Sequence, residues 1–339
     1  MNISTFCIGF STAFFTIFAL HILCFRRQRS HFQTVVGCIM AVWALLCLKD
    51  IVFTFPGMYK PSVLRWVMII DGWSALTYAV FIFESTMPHW LSWRRMLLLV
   101  LPFVAFTVAY ALWPVKGVTI AYAVFLWFFA WTIVAIGFFK ARRQIAYVRQ
   151  NYSDIERIDV SWLHPVFLFA IVTQLAWLVV SLYDTWLTDV LYYLICIALW
   201  LLMLHYSWDY HPILVPEPES MTVSREPLQR DYAFAGQLER TMEDEQLYLN
   251  SSLTLQDLAQ AVGSNRTYVS NYLLQVRQQT FYDYVNQLRI EKKSIPLMLQ
   301  HPEYTLEHVA NESGFRSLST FRRAFVKLTG KTPSQFGKQ

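Results

Sequence analysis

Hydrophobic and polar positions divide the chain into two materials. Over roughly the first two hundred residues the apolar positions come in long runs with almost no polar face. Seven such stretches cover 4–25, 34–55, 62–86, 96–114, 117–139, 161–182 and 186–207. Each has about the 20 residues that a helix needs to cross a bilayer. A water-exposed helix would show one apolar stripe, whereas these are apolar nearly all round. Beyond residue 207 the pattern changes to short amphipathic segments punctuated by Pro, Gly, Ser and Thr. The pattern predicts an all-α chain. A polytopic transmembrane helix bundle of about seven spans occupies 1–207, a proline-containing linker 208–231, and a soluble helical domain 232–339.

Composition sharpens the division. The 339 residues are 55% hydrophobic and only 15% charged, against about 25% charged in an average soluble domain. Cys7, Cys24, Cys38, Cys47 and Cys196 all lie in the apolar runs, with no CxxC and no Cys/His cluster. That excludes a disulfide framework or zinc site as the organising feature. No cofactor and no catalytic motif is expected: HExxH, a Walker loop, GxGD and kinase glycines are all missing from the sequence.

Charge sets the orientation. No Lys or Arg precedes the first stretch, while Arg26, Arg27 and Arg29 follow it. A cleaved signal peptide carries its charge in front, so this segment reads as a retained span with an external N-terminus. The loops holding Arg26, Arg27, Arg29, Arg94, Arg95, Lys140, Arg142, Arg143, Arg149 and Arg157 alternate with loops holding Lys60, Arg65 and Lys116. By the positive-inside rule the first set is cytoplasmic. An odd number of spans then puts the C-terminal domain in the cytoplasm.

That domain is basic. From residue 251 on, eleven Lys and Arg face six Asp and Glu, although the preceding stretch 217–250 is acidic. A compact positive module suits a phosphate partner. It also contains a repeat: TLQDLAQAVG at 254–263 aligns with TLEHVANESG at 305–314. Thr254 and Thr305 suit helix N-caps, and Asp257 completes a capping box. Ala259 and Ala310 are small enough for close helix crossing. Gly263 and Gly314 can take the positive φ of a tight turn. A second helix follows each turn, and 281–299 reads as a helix connecting the two units. The domain is therefore two helix-turn-helix units joined by a linker helix.

The end of the chain carries a resemblance. GFRSLSTFRRAFVKLTGKTPSQF, residues 314–336, is similar to the signature of the DNA-binding domain of AraC/XylS-type bacterial transcription regulators. The matching positions are Gly314, Phe315, Ser317, Ser319, Phe321, Phe325, Lys327, Gly330, Thr332, Pro333 and Phe336. Two positions depart from it: Gly337 stands where a basic residue is usual, and Pro296 falls inside the connecting helix. The resemblance covers about the last hundred residues and leaves the membrane domain unrecognised. It implies DNA binding through two adjacent faces of the major groove, which recur about 34 Å apart. The outward candidates are Asn265, Arg266, Thr267, Ser270 and Asn271 on the first recognition helix. On the second they are Arg316, Leu318, Ser319, Thr320, Arg322 and Arg323. Arg and Asn read guanine and adenine edges, while hydroxyls mostly meet phosphate. The resemblance implies a bacterial chain, and with the apolar spans and loop charges the expected location is the bacterial cytoplasmic (inner) membrane.

Ionisable residues inside spans are costly and face the bundle interior. Lys49 and Asp50 in the second stretch and Asp71 in the third fall at similar depth, so Lys49 and Asp71 can pair. Two readings stand: a pocket for a ligand or ion, open to the outside and serving as a membrane sensor, or a static ion pair with Asp50 at the water interface. Glu84 is expected to be solvated near the cytoplasmic edge. The function expected is a membrane-embedded, sequence-specific transcription regulator whose bundle senses a signal. Its candidate partners are DNA, the lipid bilayer, a small-molecule or envelope signal and a second copy of the chain. The alternatives are a transporter or membrane enzyme with a regulatory DNA-binding appendage, and a constitutive membrane-anchored DNA binder.

Overall fold

The long apolar runs form long helices because nothing in them competes with the backbone ladder: Pro is rare and polar side chains are few. A computed structural model describes residues 3–55, 57, 58, 60–183, 186–216, 232 and 234–337. Most of the expected linker, 217–231, lies outside the described residues. The chain divides into two compact units, Met1–Gln144 with Val160–Val215, and Ile145–Asp159 with Pro216–Gln339.

The first unit contains α1 (Ile3–Leu20), continued by a π-helical turn at His21–Phe25, and α2 (His31–Lys49), continued by a 3-10 turn at Asp50–Thr54. A capping box between Ser30 and Gln33 starts α2. The third apolar stretch is broken in two, α3 (Pro61–Asp71) and α4 (Ser74–Thr86). The break falls at Gly72, where any Cβ would overlap the ring of Tyr122. Next come α5 (Trp93–Leu112), α6 (Lys116–Asn151), α7 (Leu163–Tyr183) and α8 (Trp186–Ser207).

Among the described residues six helices are long and apolar enough to cross a membrane, against the seven expected; one of the six, Ser62–Thr86, takes α3 and α4 together across the break at Gly72. The other expected stretch, 161–182, corresponds to α7, which contributes the shorter apolar segment Leu163–Ala176. Large apolar side chains such as Leu98, Phe128 and Phe139 are exposed on these helices, a surface that suits lipid far better than water. Inside, Trp200 is fully buried and packs against Trp43, Tyr78 and Phe81, with ring centroids 5.4–5.9 Å apart.

Two sequence expectations are corrected here. Glu84 is not solvated. It is fully buried and accepts the backbone N–H groups of His89 at 3.2 Å and Leu91 at 2.5 Å. A carboxylate so placed satisfies the turn after α4, which explains its burial. The fifth stretch does not stop at 139 but continues as α6 to Asn151, because Lys, Arg, Gln and Ala between 140 and 146 are good helix formers.

The second unit begins with the last residues of α6 and the segment 152–159. It continues with α9 (Ala235–Asp244), α10 (Leu255–Ala261), α11 (Arg266–Gln275), α12 (Phe281–Leu288), α13 (Ile295–Gln300), α14 (Leu306–Glu312), α15 (Leu318–Thr329) and α16 (Pro333–Phe336). It has two cores. Leu238, Leu258, Val269, Leu273, Phe281 and Val285 belong to the first. Ile290, Met298, Val309, Phe315, Phe321 and Phe325 belong to the second. The connecting helix feeds both. Its two α-helical parts, α12 and α13, are joined by a π-helical turn at Arg289–Ser294. That turn is how the helix accommodates Pro296, which lacks an N–H and would clash with the carbonyl four residues earlier. The expected kink is thus taken up as a widened turn within one helical run.

Candidate nucleic-acid interface

Each helix-turn-helix is fixed by local chemistry. Thr254 Oγ1 accepts the Asp257 N–H at 3.2 Å, and Asp257 Oδ2 accepts the Thr254 N–H at 2.9 Å, closing the capping box of α10. Thr305 caps α14 through the His308 N–H. Gly263 and Gly314 have φ of +63° and +81°, the left-handed turns that the repeat requires. Asn265 caps α11 by accepting the Tyr268 N–H. Ser317 caps α15 by accepting the Thr320 N–H.

Those caps decide which candidates face outward. Arg266 and Thr267 are exposed on α11, and Ser270 and Asn271 are half-buried. Asn265 is exposed, with its side-chain oxygen engaged in the cap. On the second unit Arg316, Ser319, Arg322 and Arg323 are exposed. Leu318 packs against the second core. Thr320 is only 3% exposed, so it faces inward and not outward as its spacing suggested. Phe321 fills the core beside it. Tyr272, Phe321 and Phe325 are buried core residues, while Tyr268 is 38% exposed.

Sequence reasoning missed a group at the junction of the two cores. Arg289 is 1% exposed. Its Nε donates to the Tyr248 carbonyl at 2.6 Å. Its Nη1 reaches the Ser153 carbonyl at 3.3 Å and Asn286 Oδ1 at 3.1 Å. Its Nη2 reaches Ser153 Oγ at 3.3 Å and the Asn250 carbonyl at 2.8 Å. A guanidinium has five N–H donors, and all five directions are met. Burial lowers its pKa to about 10, and the nearby Asp154 carboxylate works against that shift. The signal was present: Phe281, Val285 and Arg289 recur every fourth residue, which places the arginine on the buried face.

The first unit holds the ionisable cluster. Lys49 Nζ lies 2.5 Å from Asp50 Oδ1 and 2.6 Å from Asp71 Oδ1. Asp50 Oδ2 accepts the Tyr193 hydroxyl at 2.6 Å. The structure therefore brings Lys49, Asp50 and Asp71 together. Asp50 is buried within the protein. A cavity of about 80 Å³ adjoins the cluster, lined by Asp71, Ser74, Tyr78, Gln174 and Tyr192 among others. Two carboxylates on one ammonium leave a formal excess of one negative charge. Among the described residues no group of His, Cys, Asp and Glu is arranged to hold a metal.

A family described as a helix-turn-helix domain matches residues 258–339. The Msm operon regulatory protein of Streptococcus mutans is 24% identical over 107 residues, 32% of this chain and 37% of that protein. The Melibiose operon regulatory protein of Escherichia coli K12 is 30% identical over 89 residues, 26% of this chain and 29% of that protein. Residues 258–339 are a helix-turn-helix domain of the AraC type. An uncharacterized HTH-type transcriptional regulator of Bacillus subtilis, YdeC, is 33% identical over 92 residues, 27% of this chain and 31% of that protein. The chain thus spans about a third of the length of these curated relatives. No solved structure matches the chain.

Proposed function

We propose that the chain is a membrane-embedded transcription regulator. Its C-terminal domain binds specific DNA, and its apolar helices hold it in the bacterial inner membrane with that domain in the cytoplasm. The observation that carries this reading is the pairing, in one chain, of an AraC-type domain with six helices long and apolar enough to span a bilayer. Arg266, Thr267, Ser270 and Asn271 on α11, and Arg316, Ser319, Arg322 and Arg323 on or beside α15, are the DNA contacts. Arginines there read guanine or hold phosphate, and the hydroxyls hold phosphate. The Lys49–Asp50–Asp71 cluster and its cavity are the place where a signal enters. The excess negative charge favours a cationic ligand or a proton.

The test is DNA binding by the full-length protein in lipid nanodiscs. A specific duplex should be retained over a scrambled one, and Arg322→Ala with Arg323→Ala should abolish the preference. Equal retention of both duplexes by the unaltered protein would remove the reading. The buried cluster beside a cavity also fits a transporter with a regulatory appendage. Accumulation of a cationic solute by reconstituted vesicles, lost in Asp71→Asn, would favour that second reading.

A further inference from the structure

The second unit contains a segment that does not belong to the helix-turn-helix domain. Residues 152–159, YSDIERID, follow α6 directly and lie against the DNA-binding helices of the same unit. Tyr152 forms an isolated antiparallel bridge with Thr254, the cap of α10. Ser153 is completely buried. Its N–H and its hydroxyl both donate to the Leu253 carbonyl, at 3.2 and 2.7 Å. Its carbonyl and hydroxyl oxygens accept from the buried Arg289. Ile155, two residues on, is also buried. The segment is therefore seated by an alternating pattern of inward residues, not loosely laid on a surface.

The residues between and after them reach the second recognition helix. Asp154 Oδ2 lies 3.4 Å from Arg316 Nε, and Glu156 Oε1 accepts the Ser319 hydroxyl at 3.1 Å. Glu156 is held in turn by its own N–H, which donates to Asp154 Oδ1 at 3.2 Å. Two carboxylates thus stand at the N-terminal turn of α15. That is where a helix presents unpaired N–H groups and positive potential, and where DNA-binding helices meet phosphate. The segment carries Asp154, Glu156 and Asp159 against Arg157 alone. Its acidic character is unexpected in a loop otherwise rich in Lys and Arg.

We infer that 152–159 is an internal competitor for DNA. Docked, it engages Arg316 and Ser319 with carboxylates and sets a negative segment where the nucleic-acid backbone must come. Specific binding by the second helix-turn-helix requires its release. Because the segment is the direct chain continuation of α6, a change in the apolar helices has a covalent route to the recognition helix. This inference rests on the DNA-binding reading above. The docked state lowers apparent affinity by the fraction of molecules in which the segment is released.

Two variants of the full-length protein in nanodiscs test it, using a duplex taken from the genomic footprint of the unaltered protein and a scrambled duplex of equal length. Asp154→Asn with Glu156→Gln removes both charges, leaves Ser153 and Arg289 in place, and should tighten specific binding by about three- to tenfold. Tyr152→Cys with Thr254→Cys joins a bridged antiparallel pair, whose side chains are neighbours across the ladder. Oxidised, it should bind the specific duplex at least about tenfold more weakly than the same protein reduced. The reduced form is its own control for any loss of the Thr254 cap. Equal binding by oxidised and reduced protein, or tighter binding when oxidised, overturns the inference while leaving DNA binding intact. Failure of the unaltered protein and both variants to distinguish the two duplexes overturns the DNA-binding reading and the inference with it.

Discussion

One methyl group, added at each of two equivalent glycines, should have unequal consequences. Gly263 and Gly314 close the turns of the two helix-turn-helix units, both with positive φ. In Gly263→Ala the new Cβ would meet nothing within 4 Å, so the cost is the left-handed backbone alone, about 1–2 kcal/mol. In Gly314→Ala the Cβ would fall 2.5 Å from the Leu249 carbonyl oxygen and 2.9 Å from its carbonyl carbon and Cα. These are backbone atoms and cannot swing aside as a side chain does. Overpacking of this kind adds about 1–3 kcal/mol to the conformational term. Leu249 also sits between Tyr248 and Asn250, whose carbonyls hold Arg289. The total of roughly 2–5 kcal/mol is a large share of a domain stability of about 5–15 kcal/mol. Tryptophan fluorescence cannot read this, because all 13 tryptophans lie at or before Trp208. Amide hydrogen exchange can. At about 1.4 kcal/mol per factor of ten, the most protected amides of α14 and α15 should exchange about 30- to 4000-fold faster in Gly314→Ala. In Gly263→Ala the most protected amides of α10 and α11 should speed up by about five- to thirtyfold. Equal effects, or a larger one at Gly263, would refute the close approach of Gly314 to Leu249.

Other expectations follow from the same contacts. Arg322→Ala and Arg323→Ala should each weaken DNA binding and lower the slope of log affinity against log salt by about 1 if they hold phosphate; a titration at four salt concentrations decides it. Arg289→Met should leave the Ser153, Tyr248 and Asn250 carbonyls without their donor and destabilise the second unit by about 3 kcal/mol or more, read again by hydrogen exchange. Asp71→Asn should change a promoter-fusion response at least about threefold while membrane abundance stays constant, because Lys49 keeps Asp50 but the charge balance changes; an unaltered response leaves the cluster as a structural pair.

The legible parts of this chain are those whose physics is local. The capping box of Thr254 and Asp257, the turn glycines and the apolar runs each depend on a few consecutive residues, and each was readable. Thr320 was misplaced: it was set on the outward face of α15, whereas it is buried beside the core residue Phe321. Glu84 was misread because its partners, the N–H groups after α4, depend on the shape of a turn. Pro296 was legible as a perturbation but not as a π-helical turn, which needs the packing on both sides of it. The seat of 152–159 was the least accessible, since Ser153 and Arg289 are separated by 136 positions. Its trace in the sequence was slight: three acids in a basic loop, and an arginine on the core face of a helix.

The proposed function requires one chain to hold specific DNA while anchored in lipid. The direct measurement is a footprint of crosslinked full-length protein recovered from the membrane fraction. It should show discrete protected sites, each covering two major-groove faces about one helical turn apart, that disappear in the Arg322→Ala, Arg323→Ala double variant. Membrane-fraction protein without any discrete site, or sites recovered only with soluble protein, would contradict it.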